Sequence, residues 1–203
     1  MMMKKKYVLM MAAALLMFGS SLPASAALVE HGTVTYEGME RRLIYDTDLN
    51  VTWLDFSNAP GNYVTQASWA DNLAITINGQ TYDDWRLPAT PPVSQIVGYN
   101  VIGSDLGHLY YFELGNLAGA LANTGVFQNL LPVWYTSGTE SGSNIWHFGF
   151  FDGWNTYGTK NYSSYYGIAV HEGEITAAPI PGAVWLLGSS LLGIIGIKRK
   201  VKK

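Results

Sequence analysis

Along the 203-residue chain, apolar and polar positions divide it into an uncharged apolar block near each end and an alternating middle. Near the start, Lys4, Lys5 and Lys6 precede an apolar core of 12 residues, Tyr7 to Phe18. Near the end, Pro179-Ile180-Pro181-Gly182 opens a run of 15 residues without charge, Ala183 to Ile197, closed by Lys198-Arg199-Lys200-Val201-Lys202-Lys203. In the middle, Thr33–Tyr36 and Arg41–Tyr45 flank Glu37-Gly38-Met39-Glu40, which predicts a hairpin. Val51–Leu54 reads as a third strand. Later, Val133–Tyr135, Ile145–Phe151 and Tyr165–Val170 are aromatic strand material separated by Gly, Ser and Asn. Helical spacing occurs twice. Thr65 is placed to cap a helix through Ala67, Ala70, Leu73 and Ala74, with Trp69 on a flank and Asn78-Gly79 as the turn after it. Leu106, Leu109, Tyr110, Leu114 and Leu117 predict a second helix from Asp105 to about Leu117. Short strands with two helices predict an α+β fold.

The end blocks read as addresses. Pro23-Ala24-Ser25-Ala26 supplies small residues at Ala24 and Ala26, so signal peptidase is expected to cut after Ala26 and remove residues 1–26 as a signal helix. Its core is too short to span a bilayer. The C-terminal run (about 183–197) reaches roughly 22 Å as a helix, against ~30 Å of hydrocarbon. With Pro181 included and the lysine stems snorkelling, it becomes a marginal membrane span. Both basic ends are then expected to stay cytoplasmic while residues 27–178 are exported as one domain.

Charge sharpens that division. Residues 27–178 hold all 15 acids but four cations, Arg41, Arg42, Arg86 and Lys160, a net of −11 concealed by the basic tails in a whole-chain value of −3. Such a field excludes nucleic acid and anionic membrane as general partners and favours divalent cations or cationic surfaces. With no cysteine, the domain is held by burial alone, and thiol catalysis and cysteine metal sites are excluded.

Candidate chemistry is sparse. Asp46-Thr47-Asp48-Leu49-Asn50 alternates oxygens as a calcium loop does. Yet Val51 stands where an EF-hand needs glycine and Ser57 where it needs glutamate, so an Asx turn is the expectation and calcium has no motif behind it. His31, His108, His147 and His171 are scattered without metal-ligand spacing, and His108 falls on the second amphipathic helix. No catalytic constellation and no metal set emerges. A carboxylate-dependent glycan hydrolase and a purely structural matrix component stay open beside a non-enzymatic adhesive. Arg86, among Asp83, Asp84 and Trp85, is expected to be buried or half-buried, paired with a carboxylate and stacked on a ring, with Pro88 fixing the chain exit; the alternative is an arginine that binds an anionic ligand. From Trp134 to Tyr166 there are 11 aromatics in 33 residues. Of these, Trp154, Tyr157 and Tyr162 fall in Gly- and Asn-rich stretches and are expected on loops, as contacts for a sugar ring or a protein surface.

Two resemblances extend this reading. The tail Pro179-Ile180-Pro181-Gly182-Ala183-Val184-Trp185-Leu186-Leu187-Gly188 onward, ending in Arg199 and lysines, resembles a PEP-CTERM sorting signal over residues 179–203. Isoleucine stands where the usual Pro-Glu-Pro core has its acid. The resemblance implies processing by an exosortase-type transpeptidase, with the membrane helix as an intermediate and the cell envelope, cell surface or extracellular polysaccharide as destination. Tyr45-Asp46-Thr47, Thr52-Trp53-Leu54, the Trp69 helix, Asp84-Trp85-Arg86-Leu87-Pro88 and Trp134-Tyr135-Thr136-Ser137-Gly138-Thr139 resemble the C-terminal domain of Lcl-type collagen-like adhesins. That likeness implies a C-type-lectin-like α+β domain. Asp105 to Asn116 is similar to a segment common in sorting-tagged members of the group. The adhesins' sulfated polysaccharides suit a domain at −11 poorly, and the cysteine of the related formylglycine-generating enzymes is absent.

Overall fold

The computed structural model describes residues 27–177. The expected signal helix, the cleavage residues Ala24 and Ala26, and the sorting residues Pro179, Pro181, Trp185 and Arg199 lie outside them. Among the described residues no helix is long and apolar enough to cross a membrane.

The architecture is α+β and dominated by sheet. Strands β1 (Leu28–Tyr36), β2 (Met39–Asp46), β3 (Val51–Leu54), β7 (Trp85–Arg86) and β12 (Val170–Glu172) form one antiparallel sheet in the order β1-β2-β3-β12-β7. A second sheet runs β10 (Trp154–Thr159), β9 (Asn144–Gly149), β8 (Trp134–Ser141), β11 (Tyr165–Gly167), β4 (Asn58–Gly61), with β11 parallel to β8. A small hairpin pairs β5 (Ile75–Ile77) with β6 (Gln80–Tyr82). Glu37-Gly38 and Asn78-Gly79 make tight two-residue turns. All four residues have positive φ, the paired left-handed conformation whose twist matches a hairpin.

The first sheet carries core on both of its faces. Its register sets Leu43 opposite Leu54 and Ile44 opposite Trp53, so neighbouring residues feed different cores. Leu43, Leu54 and Ala169 pack with Ala70, Ile75, Ile77 and Trp85, under helix α1 (Tyr63–Asp71). Ile44, Trp53 and Val170 pack with Leu106, Leu109, Tyr110, Tyr135 and Phe148, which belong to the helical segment and the second sheet. A strand buried on both faces needs no alternation. Accordingly all of Val51-Thr52-Trp53-Leu54 is buried. Thr52 is tolerated there because its hydroxyl donates to the Gly173 carbonyl (2.7 Å) and accepts from the Ile175 N–H (3.0 Å).

Both helices depart from the periodic expectation. Helix α1 starts earlier, with Asn62 as its cap: the side-chain oxygen accepts from the Thr65 N–H (2.9 Å) and hydroxyl (3.1 Å). It ends at Asp71, where Asn72 bonds back to the Ser68 carbonyl (2.6 Å), so Leu73 and Ala74 fall beyond it. The second helix is one α turn, α2 (Asp105–Gly107, capped by Ser104), that widens into a π-helical turn, His108–Glu113. Gly115 then takes positive φ and stops it, leaving Leu117 80% exposed instead of in the core.

Candidate functional site

Three places bring together the residues singled out by the sequence. The first is the Trp-Arg-Leu-Pro stretch. Trp85 is buried, and Trp85, Arg86 and Leu87 line an open cleft of about 420 Å³ beside α1. The half-buried Arg86 guanidinium is paired, as expected, but not with its sequence neighbours Asp83 and Asp84. Its Nε and Nη2 donate to Glu172 Oε1 (2.9 and 2.6 Å), and its Nη1 donates to Asp105 Oδ2 (3.1 Å) and the Leu87 carbonyl (3.0 Å). Burial pulls this guanidinium down, and the hydrogen bonds and charges of Glu172 and Asp105 outweigh it, leaving it above its ordinary value. Ring stacking, also expected of Arg86, is found at Arg41 over Phe56 (4.8 Å) and Lys160 over Tyr63 (5.7 Å). With each of its three nitrogens bonded, Arg86 is a brace between β7, β12 and α2. Pro88 carries the chain out of β7, and its carbonyl accepts the Gly138 N–H (2.8 Å).

The second place is the face of the second sheet turned away from the first. Register puts Trp134 opposite Gly149, Gly149 opposite Trp154, and His147 opposite both Thr136 and Thr156, so all share that face. Side chains meet along it, edge to face except for the tilted pair His147 and Tyr165. Phe151 meets Trp134 (4.8 Å between centroids), Trp134 meets His147 (4.8 Å), His147 meets Tyr165 (4.9 Å), and Tyr165 meets Tyr162 (5.0 Å). Gly149 and Gly158 leave the room these rings occupy: a Cβ on Gly149 would lie 3.0 Å from the Trp134 ring, and one on Gly158 2.8 Å from the Tyr165 hydroxyl. The ends of the band, Phe151 and Tyr162, are exposed, while burial holds the central His147 down at about 4, uncharged.

This geometry corrects the expectation that Trp154 and Tyr157 stand on loops: both lie on β10. Gly153, at positive φ, closes the preceding turn and lets the strand start at Trp154. Three positions apart on a regular strand, the two rings point to opposite faces. Trp154 meets Tyr99 (4.5 Å), whose hydroxyl donates to Asp152 (3.3 Å); Tyr157 packs on Trp146 (5.3 Å). Tyr162 does stand in a turn, with its ring on the Trp134 side. Trp154 and Tyr162 therefore share a face, and Tyr157 does not. Tyr99 and Asp152 were invisible as partners in sequence because long-range contacts, the Gly98–Asn155 bridge and the Asn155 amide on the Ser94 and Ile96 carbonyls, bring their segments together.

The third place joins residues the sequence kept apart. The expected Asx turn is present: Asp46 Oδ1 accepts from the N–H groups of Asp48 (3.1 Å) and Leu49 (3.0 Å). Its Oδ2 faces the Trp53 Nε1–H (3.4 Å). Against this loop lies the π turn. A ligand atom each from Asp46, His108 and Glu113 falls within 4.8 Å of the others. His108 Nε2 is 3.4 Å from Glu113 Oε1 and 3.9 Å from Asp48 Oδ2. Burial raises the Asp46 carboxyl against its N–H donors and His108, and burial with the charge of Asp46 raises that of Glu113. Glu113 was missed because residues five apart stand roughly 140° apart on an α-helix. A π turn, bonding i to i+5, brings them onto one side. No family model, curated protein or solved structure matches the chain.

Proposed function

We propose that this chain is an exported, sorting-tagged surface or matrix protein, adhesive rather than enzymatic, whose C-type-lectin-like domain holds neutral glycan on the aromatic face of its second sheet. The observation that carries the adhesive part is the aromatic band from Phe151 through Trp134 and His147 to Tyr162, bordered by Trp154 and Tyr99. Phe151 and Tyr162, with the half-buried Trp134 and Trp154, present apolar area fixed by packing and so without ordering cost, and Asp152 and Thr156 stand among them as hydrogen-bonding neighbours. Net charge favours an uncharged sugar over a sulfated one. The sorting part rests on the resemblance of residues 179–203 to a PEP-CTERM signal and of residues 1–26 to a signal peptide. It makes signal peptidase and an exosortase-type enzyme the processing partners.

The test is a glycan array probed with the full chain, with calcium and with chelator, including the producing cell's own exopolysaccharide. Binding without release of sugar is expected. Trp154→Ala and Tyr162→Ala should each weaken it about tenfold, in line with stacking worth about 1–2 kcal/mol. Tyr157→Ala, on the opposite face, should leave it unchanged. Silence from a folded chain, or equal loss in all three variants, would remove the aromatic face as the binding surface.

A further inference from the structure

We propose that Asp46, His108 and Glu113 form a binding site for one divalent transition-metal ion of the zinc class. The inference goes beyond the adhesive reading and does not depend on it. A cluster of acids is by itself ordinary, and what distinguishes this one is an unmet need. The Glu113 side chain is 2% exposed, yet its Oε1 has no hydrogen-bond partner, and neither has the buried His108 Nε2 that it faces. Elsewhere the same fold satisfies its buried carboxylates. Asp55 receives the N–H groups of Gln128 (2.8 Å) and Asn129 (2.9 Å) and the Asn129 amide (3.3 Å), and Asp105 receives the Ala89 N–H (2.7 Å) and Arg86. A buried charged oxygen without a donor is expensive. A cation between the three groups removes that expense for all of them at once.

Geometry and donor type agree. Zinc bonds of about 2.0–2.1 Å in a tetrahedron set neighbouring ligand atoms roughly 3.3 Å apart. His108 Nε2 and Glu113 Oε1 stand at 3.4 Å, already one such edge. Asp46 closes the set through Oδ2, because Oδ1 is held by two backbone N–H groups, and the Trp53 N–H steadies the carboxylate from behind. One imidazole nitrogen with carboxylates suits Zn²⁺ and its first-row neighbours. Calcium wants six to eight oxygens, more than these side chains offer. Asp48, with its side chain 42% exposed, stands at the mouth 3.9 Å from His108 Nε2, as a fourth ligand or beside a water. The bound ion would tie the β2–β3 loop to the π turn, a cross-link in a chain without cysteine.

The experiment uses the full chain, purified in detergent and stripped with chelator, in equilibrium dialysis against Zn²⁺. The wild type should retain one equivalent and unfold at a higher temperature with it. His108→Ala and Glu113→Gln should bind more than about tenfold more weakly. His31→Ala, at the separate pair with Glu174 (3.2 Å), should bind as the wild type does. No retained zinc in the folded wild type, or equal retention by His108→Ala and Glu113→Gln, overturns the proposal. Should either variant fail to fold, Co²⁺ added to His31→Ala decides it. Visible absorption bands displaced by one equivalent of Zn²⁺ support the site, and a flat spectrum ends it.

Discussion

Two polar clusters flank the same short helical segment, and the fold treats them in opposite ways. At its start, Asp105 meets Arg86 and the Ala89 N–H, and Glu172 takes the remaining side of the guanidinium. At its end, Glu113 meets His108 and a raised Asp46, with His108 Nε2 at 3.4 Å and no hydrogen bond to its inner oxygen. Both lie against one face of the first sheet, since Asp46 alternates with Ile44 and Arg86 is paired with Val170. The chain can therefore complete a buried charge cluster in this neighbourhood. Where it stops short, the incomplete cluster is a place for something from outside, while the complete one is a brace.

The most direct test of that contrast is Asp105→Ala. It leaves the Ala89 N–H and one edge of the half-buried guanidinium without the Asp105 carboxylate, and should lower unfolding stability by about 2 kcal/mol. A loss below about 1 kcal/mol in urea unfolding would mean that the complete cluster braces nothing.

His147 sharpens the contrast from another side, because there the fold resolves burial by discharging the group. Its folded pKa is depressed from 6.5 to about 4, with the Ile145 carbonyl at 3.4 Å as its contact. The unfolded chain takes up this proton below about 6.5 and the folded chain does not until about 4. Stability is therefore full above the unfolded value and is lost as pH falls through that window, by roughly 3 kcal/mol in all. In His147→Phe this part of the acid sensitivity should vanish. Identical losses in both proteins between pH 7 and pH 4.5 would show that His147 is not held neutral.

A smaller effect is expected of Arg86→Lys, which keeps the charge and loses the planar fork. Because the arginine side chain is 37% exposed, the loss should be about 1 kcal/mol. Unchanged thermal unfolding in this variant and in Arg86→Ala would return Arg86 to the class of ligand-binding arginines.

These contrasts were unequally legible in the sequence. The hairpin around Glu37-Gly38, the strand Val51–Leu54 and the aromatic strands β8 and β9 followed from strand-favouring residues and turn residues, which are local properties, whereas the expected strand Tyr165–Val170 is divided between the two sheets as β11 and β12. So did the Asx turn at Asp46. The partners of Arg86 were not legible, because Asp105 and Glu172 reach it through strand pairing of β7 with β12 and the placement of α2. Tyr157 was grouped with Trp154 because glycine and asparagine around them imitate a loop. The register of β10 on β9 separates the two. His108 and Glu113 were hidden by the assumption of an α-helical period, which fails where Leu114 bonds back to Leu109 and the turn widens.

The smallest expected effect is also the most discriminating. Glu113→Gln removes a buried carboxylate that, without metal, has His108 at 3.4 Å and no hydrogen bond to its inner oxygen. A brace of the Arg86 kind would lose about 2 kcal/mol from such a change. An unfilled site should lose less than about 1 kcal/mol, or gain, because the neutral amide escapes the desolvation that raises the native carboxyl. The measurement is urea unfolding of wild type and Glu113→Gln in chelator, repeated with Zn²⁺ in excess of the protein. Near-equality in chelator, with a gap opening on addition of zinc, places the energy of this cluster in the ion. A gap of about 2 kcal/mol already present in chelator would make Glu113 and His108 a second brace, and the contrast between the two ends of the helical segment would disappear.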